Sequence, residues 1–140
     1  MIAYFDTSAL IPILVNETAS ERAGRLWDSA DRLVSVRLVY PEARAALAQA
    51  HHTNRISRAD LRRAAHELDD LVSQIDIVEV TDRLARRAGE LAEVHALRGY
   101  DAVHLAAAEQ VMSDEVVVVA GDGPLLRSAE AIGLAIAATA

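Results

Sequence analysis

The chain has 140 residues, 52% of them hydrophobic, and a net charge of −7. That is the size of one domain with a real core, and the charge excludes a protein that coats nucleic acid indiscriminately. No apolar run approaches the roughly 20 residues of a membrane span. The first residues lack the basic segment of a signal peptide, and there is no cysteine for a disulfide or a thiolate zinc site, so a cytoplasmic protein is expected. All 14 basic residues are arginine. Without lysine, P-loop nucleotide hydrolysis and Schiff-base chemistry are excluded.

Ile2 to Phe5 is a short apolar run with aromatics and reads as a buried strand. It ends on Asp6, and Thr7 and Ser8 are of the type that start helices, so a first helix runs to Val15. Ser20 to Ala30 is a second helix with Ala23, Leu26, Trp27 and Ala30 on one face. Leu33 to Val36 is a second strand. Pro41 is placed at the first position of a helix reaching about His52, with Glu42 in its first turn. Ser57 and Asp60 form a capping box for the next helix, which reaches about Ser73. The short loop between these two makes them an antiparallel hairpin. Ile75 to Val80 carries Asp76 and Glu79, which suits an edge strand. Thr81 caps a helix over 82–97, with Gly99 as its terminator. Tyr100 to Met112 is nearly all apolar after Asp101 and His104, the mark of a central helix. Val116 to Ala120 is an unbroken β-branched run, the mark of an inner parallel strand. Gly121-Asp122-Gly123 is a turn, Pro124 to Ile132 a helix and Leu134 to Ala138 a last strand.

Strands alternating with helices predict an α/β fold over 1–140, with one parallel sheet of about five strands and helices on both faces. The first three strands step outward one way, and the Val116 strand returns beside the first. Asp6 and Asp122 then end adjacent strands at a topological switch point, where ligands gather. Glu42 and Asp101 open helices. Each acid by itself is explained by capping or by the helix dipole. Asp101 is the hardest to explain so, because it opens an apolar helix, where an ion needs a partner. Carboxylates converging on one crevice repel, and a hard divalent cation relieves the repulsion; oxygen ligands suit Mg²⁺ or Mn²⁺ rather than zinc.

The run Asp6-Thr7-Ser8-Ala9-Leu10, Glu42 on the third helix, Asp101-Ala102-Val103-His104-Leu105-Ala106-Ala107-Ala108, and Val119-Ala120-Gly121-Asp122 before Leu125-Leu126 together resemble the PIN-domain ribonucleases, in particular VapC-type toxins of bacterial toxin–antitoxin pairs. Order, spacing and length agree over essentially the whole chain. The resemblance implies a three-layer PIN-like fold with a protruding helical hairpin, and a Mg²⁺-dependent endoribonuclease (Mn²⁺ being the other candidate ion). It implies Asp6, Glu42, Asp101 and Asp122 as catalytic acids, with Asp6 and Asp101 as direct metal ligands. It also implies a homodimer silenced by an antitoxin. Asp122 lies between two glycines, where family members often carry bulkier or polar residues. Ser8 reads equally as a helix cap or as a residue orienting a ligand or phosphate. His104, one turn after Asp101, reads as a residue touching the site or as an ordinary hydrogen-bonded histidine.

Arg55, Arg58, Arg62 and Arg63, with His51 and His52 nearby, form the densest basic segment. It reads either as a solvated helix face or as a patch for RNA phosphates. Aromatics are few, so a base-stacking platform is not expected. The rival class is a catalytically inactive PIN-like module that binds RNA or protein without metal. A phosphoryl-accepting receiver domain would need a lysine, and a haloacid-dehalogenase-type phosphatase would need Asp, not Ser, at position 8.

Overall fold

A computed structural model describes residues 1–140. Twelve elements follow in order: β1 (Ile2–Phe5), α1 (Thr7–Leu14), α2 (Ser20–Ser29), β2 (Arg32–Val36), α3 (Val39–His52), α4 (Arg58–Val72), β3 (Asp76–Val78), α5 (Asp82–His95), α6 (Gly99–Gln110), β4 (Val116–Ala120), α7 (Gly123–Ala131) and β5 (Ala135–Ala138). All pairings in the sheet are parallel, and the strand order is β3-β2-β1-β4-β5. Successive strands are therefore added outward on one side of β1 up to β3 and on the other side from β4, so the switch point lies at the β1–β4 pair, as the strand pattern predicts. β3 is an edge strand, and its Asp76 ties it to Arg32 of β2.

Alternation along the strands sorts side chains into two cores. Tyr4, Val34, Val36, Val116 and Val118 join Leu84, Leu91, Leu105 and Leu125 from α5, α6 and α7. Ala3, Phe5 and Val119 face the other way, against Ala9 and partly buried Trp27. Phe5 and Trp27 meet edge to face, with centroids 5.3 Å apart. On that side Leu10, Val39, Leu47, Ala64 and Leu68 lock α1 to the α3–α4 hairpin. The result is three layers, helix–sheet–helix. The hairpin is antiparallel: Tyr40 at the start of α3 donates to Asp69 near the end of α4, 2.8 Å, while His51 at the far end of α3 contacts the carbonyl of Ile56 ahead of α4.

Three local expectations differ from the structure. Pro41 is the third residue of α3, not the first, because Leu38 already has helical backbone and caps the helix. The first four amides of a helix lack an intrahelical carbonyl, so proline's missing N–H is harmless there too. The edge strand is three residues rather than six; it has a partner on only one side. Gly99 does not terminate α5 but opens α6, at the N-terminal end of a helix that stops at Gln110. The terminator of α5 is Ala96, held in the left-handed region at φ 54°. A Cβ is strained there and glycine is not. Ala96→Gly is therefore expected to stabilise the protein by about 0.5–1 kcal/mol, read as a raised urea midpoint with unchanged slope.

Candidate active site

The candidate acids gather at the carboxyl ends of the adjacent strands β1 and β4. Asp6 follows β1 directly, and its amide donates to the carbonyl of Val119 on β4, 3.0 Å. It caps α1, with Oδ2 accepting from the Ser8 amide at 3.2 Å and from the Ser8 hydroxyl at 2.5 Å. Oδ1 turns the other way, 3.4 Å from His104 Nε2. Capping and site placement are thus compatible in one residue, each using its own oxygen. Ser8 Oγ also accepts from the Gly121 amide, 2.8 Å. Ser8 is a staple between the two strand-end turns and orients Asp6; it is not the helix cap. The close approach explains the glycine before Asp122, since a Cβ on Gly121 would lie 3.2 Å from Thr139 Oγ1 and 3.6 Å from the Ser8 carbonyl.

Asp122 caps α7, its Oδ1 accepting from the Leu125 amide at 3.1 Å. Asp101 lies in the first turn of α6 and is buried. Its nearest cation is Arg98, 3.5 Å from Oδ2. Desolvation, then the charges of Asp122 and Asp6, raise the Asp101 carboxyl above the usual aspartate range, and Arg98 offsets only part of this. Asp101 on α6 therefore feels the two aspartates that end β1 and β4.

Glu42 reaches the crevice from the first turn of α3 but is engaged differently. Its Oε1 accepts from Thr7 Oγ1 at 2.9 Å and lies 2.6 Å from His104 Nε2. His104 is fully buried, and its Nδ1 pairs with the Tyr4 hydroxyl at 2.9 Å. Burial pushes the imidazole pKa down, but the Glu42 hydrogen bond and the charges of Asp6, Glu42 and Asp101 outweigh it, and the net shift is upward. Thr7 and Tyr4 are site neighbours that sequence reasoning left as a helix starter and an aromatic. A buried tyrosine hydroxyl needs a partner, which is the one signal that pointed to Tyr4.

As they stand, no three Asp, Glu or His side chains are gathered in coordinating geometry. The donor chemistry nonetheless fits a hard divalent cation: carboxylate oxygens from Asp6, Asp101 and Asp122, with the Asp101 carboxyl raised by desolvation and by the other two charges and only partly offset by Arg98.

The basic segment is divided. Arg55 pairs with Glu17 at 3.2 Å and Arg63 with Asp60 at 2.5 Å. Arg58 and Arg62 instead line a groove of about 510 Å³ between α3 and α4, together with Arg44, His51, His52 and His66. The four arginines do not act as one face.

The PIN domain matches residues 3–123. The chain belongs to the PIN-domain family. This PIN domain is 42% identical to ribonuclease VapC45 from Mycobacterium tuberculosis, over 97% of its own length and 94% of the relative's. Among solved structures it resembles M. tuberculosis VapC20, a toxin that cleaves the sarcin–ricin loop, with TM-score 0.69, 21% identity and coverage of 94% of this chain and 95% of that one. It also resembles a chain of a toxin–antitoxin complex from Klebsiella pneumoniae, with TM-score 0.63, 18% identity and 86% coverage of each. The last two likenesses carry the fold. No helix is long and apolar enough to cross a membrane.

Proposed function

We propose that this PIN domain, acting as one unit over 1–140, is a metal-dependent endoribonuclease of the VapC toxin type, using Mg²⁺ or Mn²⁺ to hydrolyse RNA phosphodiester bonds. The observation that carries the reading is the meeting of Asp6 and Asp122 at the ends of the adjacent strands β1 and β4, the sheet's switch point, with the buried carboxyl of Asp101 close enough to be raised by both charges. It stands with the 42% identity to a ribonuclease along nearly the whole chain. An antitoxin that covers the crevice, a homodimer and a cytoplasmic setting go with this reading.

Asp6 and Asp101 would hold the ion directly, and Asp122 would complete the set through the oxygen its helix cap leaves free. Bound there, the ion would polarise the phosphate and lower the pKa of a water. Asp6 is kept in place by Ser8, which fixes Oδ2 and leaves Oδ1 free of Ser8, 3.4 Å from His104 Nε2. Purified protein incubated with total cellular RNA should yield discrete fragments with Mg²⁺ and none with EDTA. Fragments that form equally in EDTA would remove the metal from the reaction, and no cleavage under either condition would leave the inactive binding module as the better reading.

For the RNA path we favour the groove lined by Arg44, Arg58 and Arg62 over the four-arginine segment, because Arg55 and Arg63 are already paired with acids. Overall charge repels a polyanion, so attraction must be local, within roughly 8 Å at physiological salt. Arg58→Ala with Arg62→Ala should weaken RNA binding and flatten its log–log salt dependence by up to about one unit per lost phosphate contact, without moving the cleavage position. Unchanged affinity and slope across a salt series would mean the groove is merely solvated.

A further inference from the structure

We propose that His104 is the positioning residue for Glu42, clamping one carboxylate oxygen so that Glu42 works through the other alone. The proposal rests on the ribonuclease reading above and assigns a division of labour within that site.

His104 occupies a place where an apolar side chain would pack at no cost. It is 1% exposed and sits on α6 among Ala102, Leu105, Ala106, Ala107 and Ala108, all buried. A buried imidazole is costly unless both nitrogens are bonded. Both are, and to different elements. Nδ1 meets the Tyr4 hydroxyl of β1 at 2.9 Å, the two rings standing edge to face at 84°. Nε2 meets Glu42 Oε1 of α3 at 2.6 Å. Because a carboxylate only accepts, Nε2 is the donor in the neutral ring as in the imidazolium, and the Tyr4 hydroxyl occupies the other nitrogen. The ring cannot flip without losing both bonds.

Glu42 gains what its own backbone cannot supply. It is in the first turn of α3, with three rotatable bonds and a partly exposed side chain. Thr7 and His104 both bind Oε1, at 2.9 and 2.6 Å. Oε2 makes no hydrogen bond within the chain. With the carboxylate held at one oxygen, anything entering the crevice meets a single fixed acceptor rather than a mobile pair. This separates Glu42 from Asp6 and Asp122, whose charges Asp101 feels directly, while Glu42 Oε1 is held by the histidine.

The test compares wild type with His104→Leu, His104→Gln, Glu42→Gln and the Leu–Gln double variant, at saturating Mg²⁺. Loss of an outer-shell partner of this kind costs about 10–100-fold, so His104→Leu should lower kcat by that factor with KM for RNA changed by less than about threefold. His104→Gln carries an N–H that reaches the same oxygen and should recover to within about fivefold of wild type. In the Glu42→Gln background, His104→Leu should add less than about twofold, since the two residues act as a unit. A second readout needs no activity: in metal-free protein labelled with ¹³C-glutamate, the Glu42 carboxyl resonance should move in His104→Leu and stay close to wild type in His104→Gln. Additive losses, or a Gln variant no better than Leu, would make His104 a packing residue and overturn the proposal. If the wild-type protein cleaved no RNA, the ribonuclease reading would fall while the Glu42 resonance still decided the clamp: a resonance unmoved in His104→Leu overturns it, a moved one upholds it.

Discussion

Asp101→Asn is expected to lower the rate of RNA cleavage by about 10³-fold, equivalent to about 4 kcal/mol of lost transition-state stabilisation, the scale of a metal's electrostatic contribution. Asp6→Asn should do the same. Both should remain folded, because neither carboxylate holds the core together: Asp101 packs as a strained ion whose charge is opposed by Asp122 and Asp6. The amide in Asp6→Asn can still accept from the Ser8 amide, preserving the cap on α1. Single-turnover cleavage of a defined RNA, with far-ultraviolet circular dichroism as the folding control, measures both halves. Near-wild-type rates in the two variants would remove the acids from the reaction.

The second large effect is on stability, and its sign changes with metal. An ion that binds only the native state stabilises it by RT ln(1 + [L]/Kd), about 2.7 kcal/mol at 100 Kd, or some 5–10 °C in Tm for a chain of this size. Asp101→Asn should lose most of that increment. Without metal the order reverses. The Asp101 carboxyl is raised in the folded state, so over the window from the ordinary aspartate value up to the raised one the native protein binds more protons than the unfolded chain. Stability must then fall as pH rises through that window. Metal-free wild type should accordingly be less stable than Asp101→Asn at neutral pH, and the gap should close as pH drops toward 4. His104 is raised as well and favours the folded state below its ordinary value; Asp101 is the smallest of the causes that raise it, so most of this contribution is common to both proteins. Melting curves at several pH values, with EDTA and with Mg²⁺, check every sign. An equal Mg²⁺ increment in both proteins would place the ion elsewhere.

Much of the architecture was legible in the chain because local pattern and long-range order agree here. Val116 to Ala120 is β-branched throughout and could only be an inner strand, and the β–α alternation with right-handed crossovers leaves few ways to order five parallel strands. That order brings Asp6 and Asp122 to one crevice, so two of the four acids follow from topology alone. The central placement of α6 followed from its lack of a polar face. The local slips lie where several chemistries serve equally well. Gly99 looked like a terminator, yet Ala96 accepted the left-handed turn. Pro41 looked like a first residue, yet any of the first four amides can do without a partner.

What only tertiary structure decided is which atoms each side chain spends on which neighbour. Composition showed four arginines near one loop; the fold gave Arg55 to Glu17 and Arg63 to Asp60 and left Arg58 and Arg62 open, because ion pairing depends on distances across 38 residues as well as three. Ser8 was equally a cap or a ligand residue by sequence, and the approach of Gly121 across the β1–β4 pair made it a staple. His104 lies 62 residues from Glu42 and 100 from Tyr4, and no periodicity links them. Periodicity tells which face of an element is buried. A buried polar atom must find its partner in three dimensions, and that pairing is a property of the packed whole.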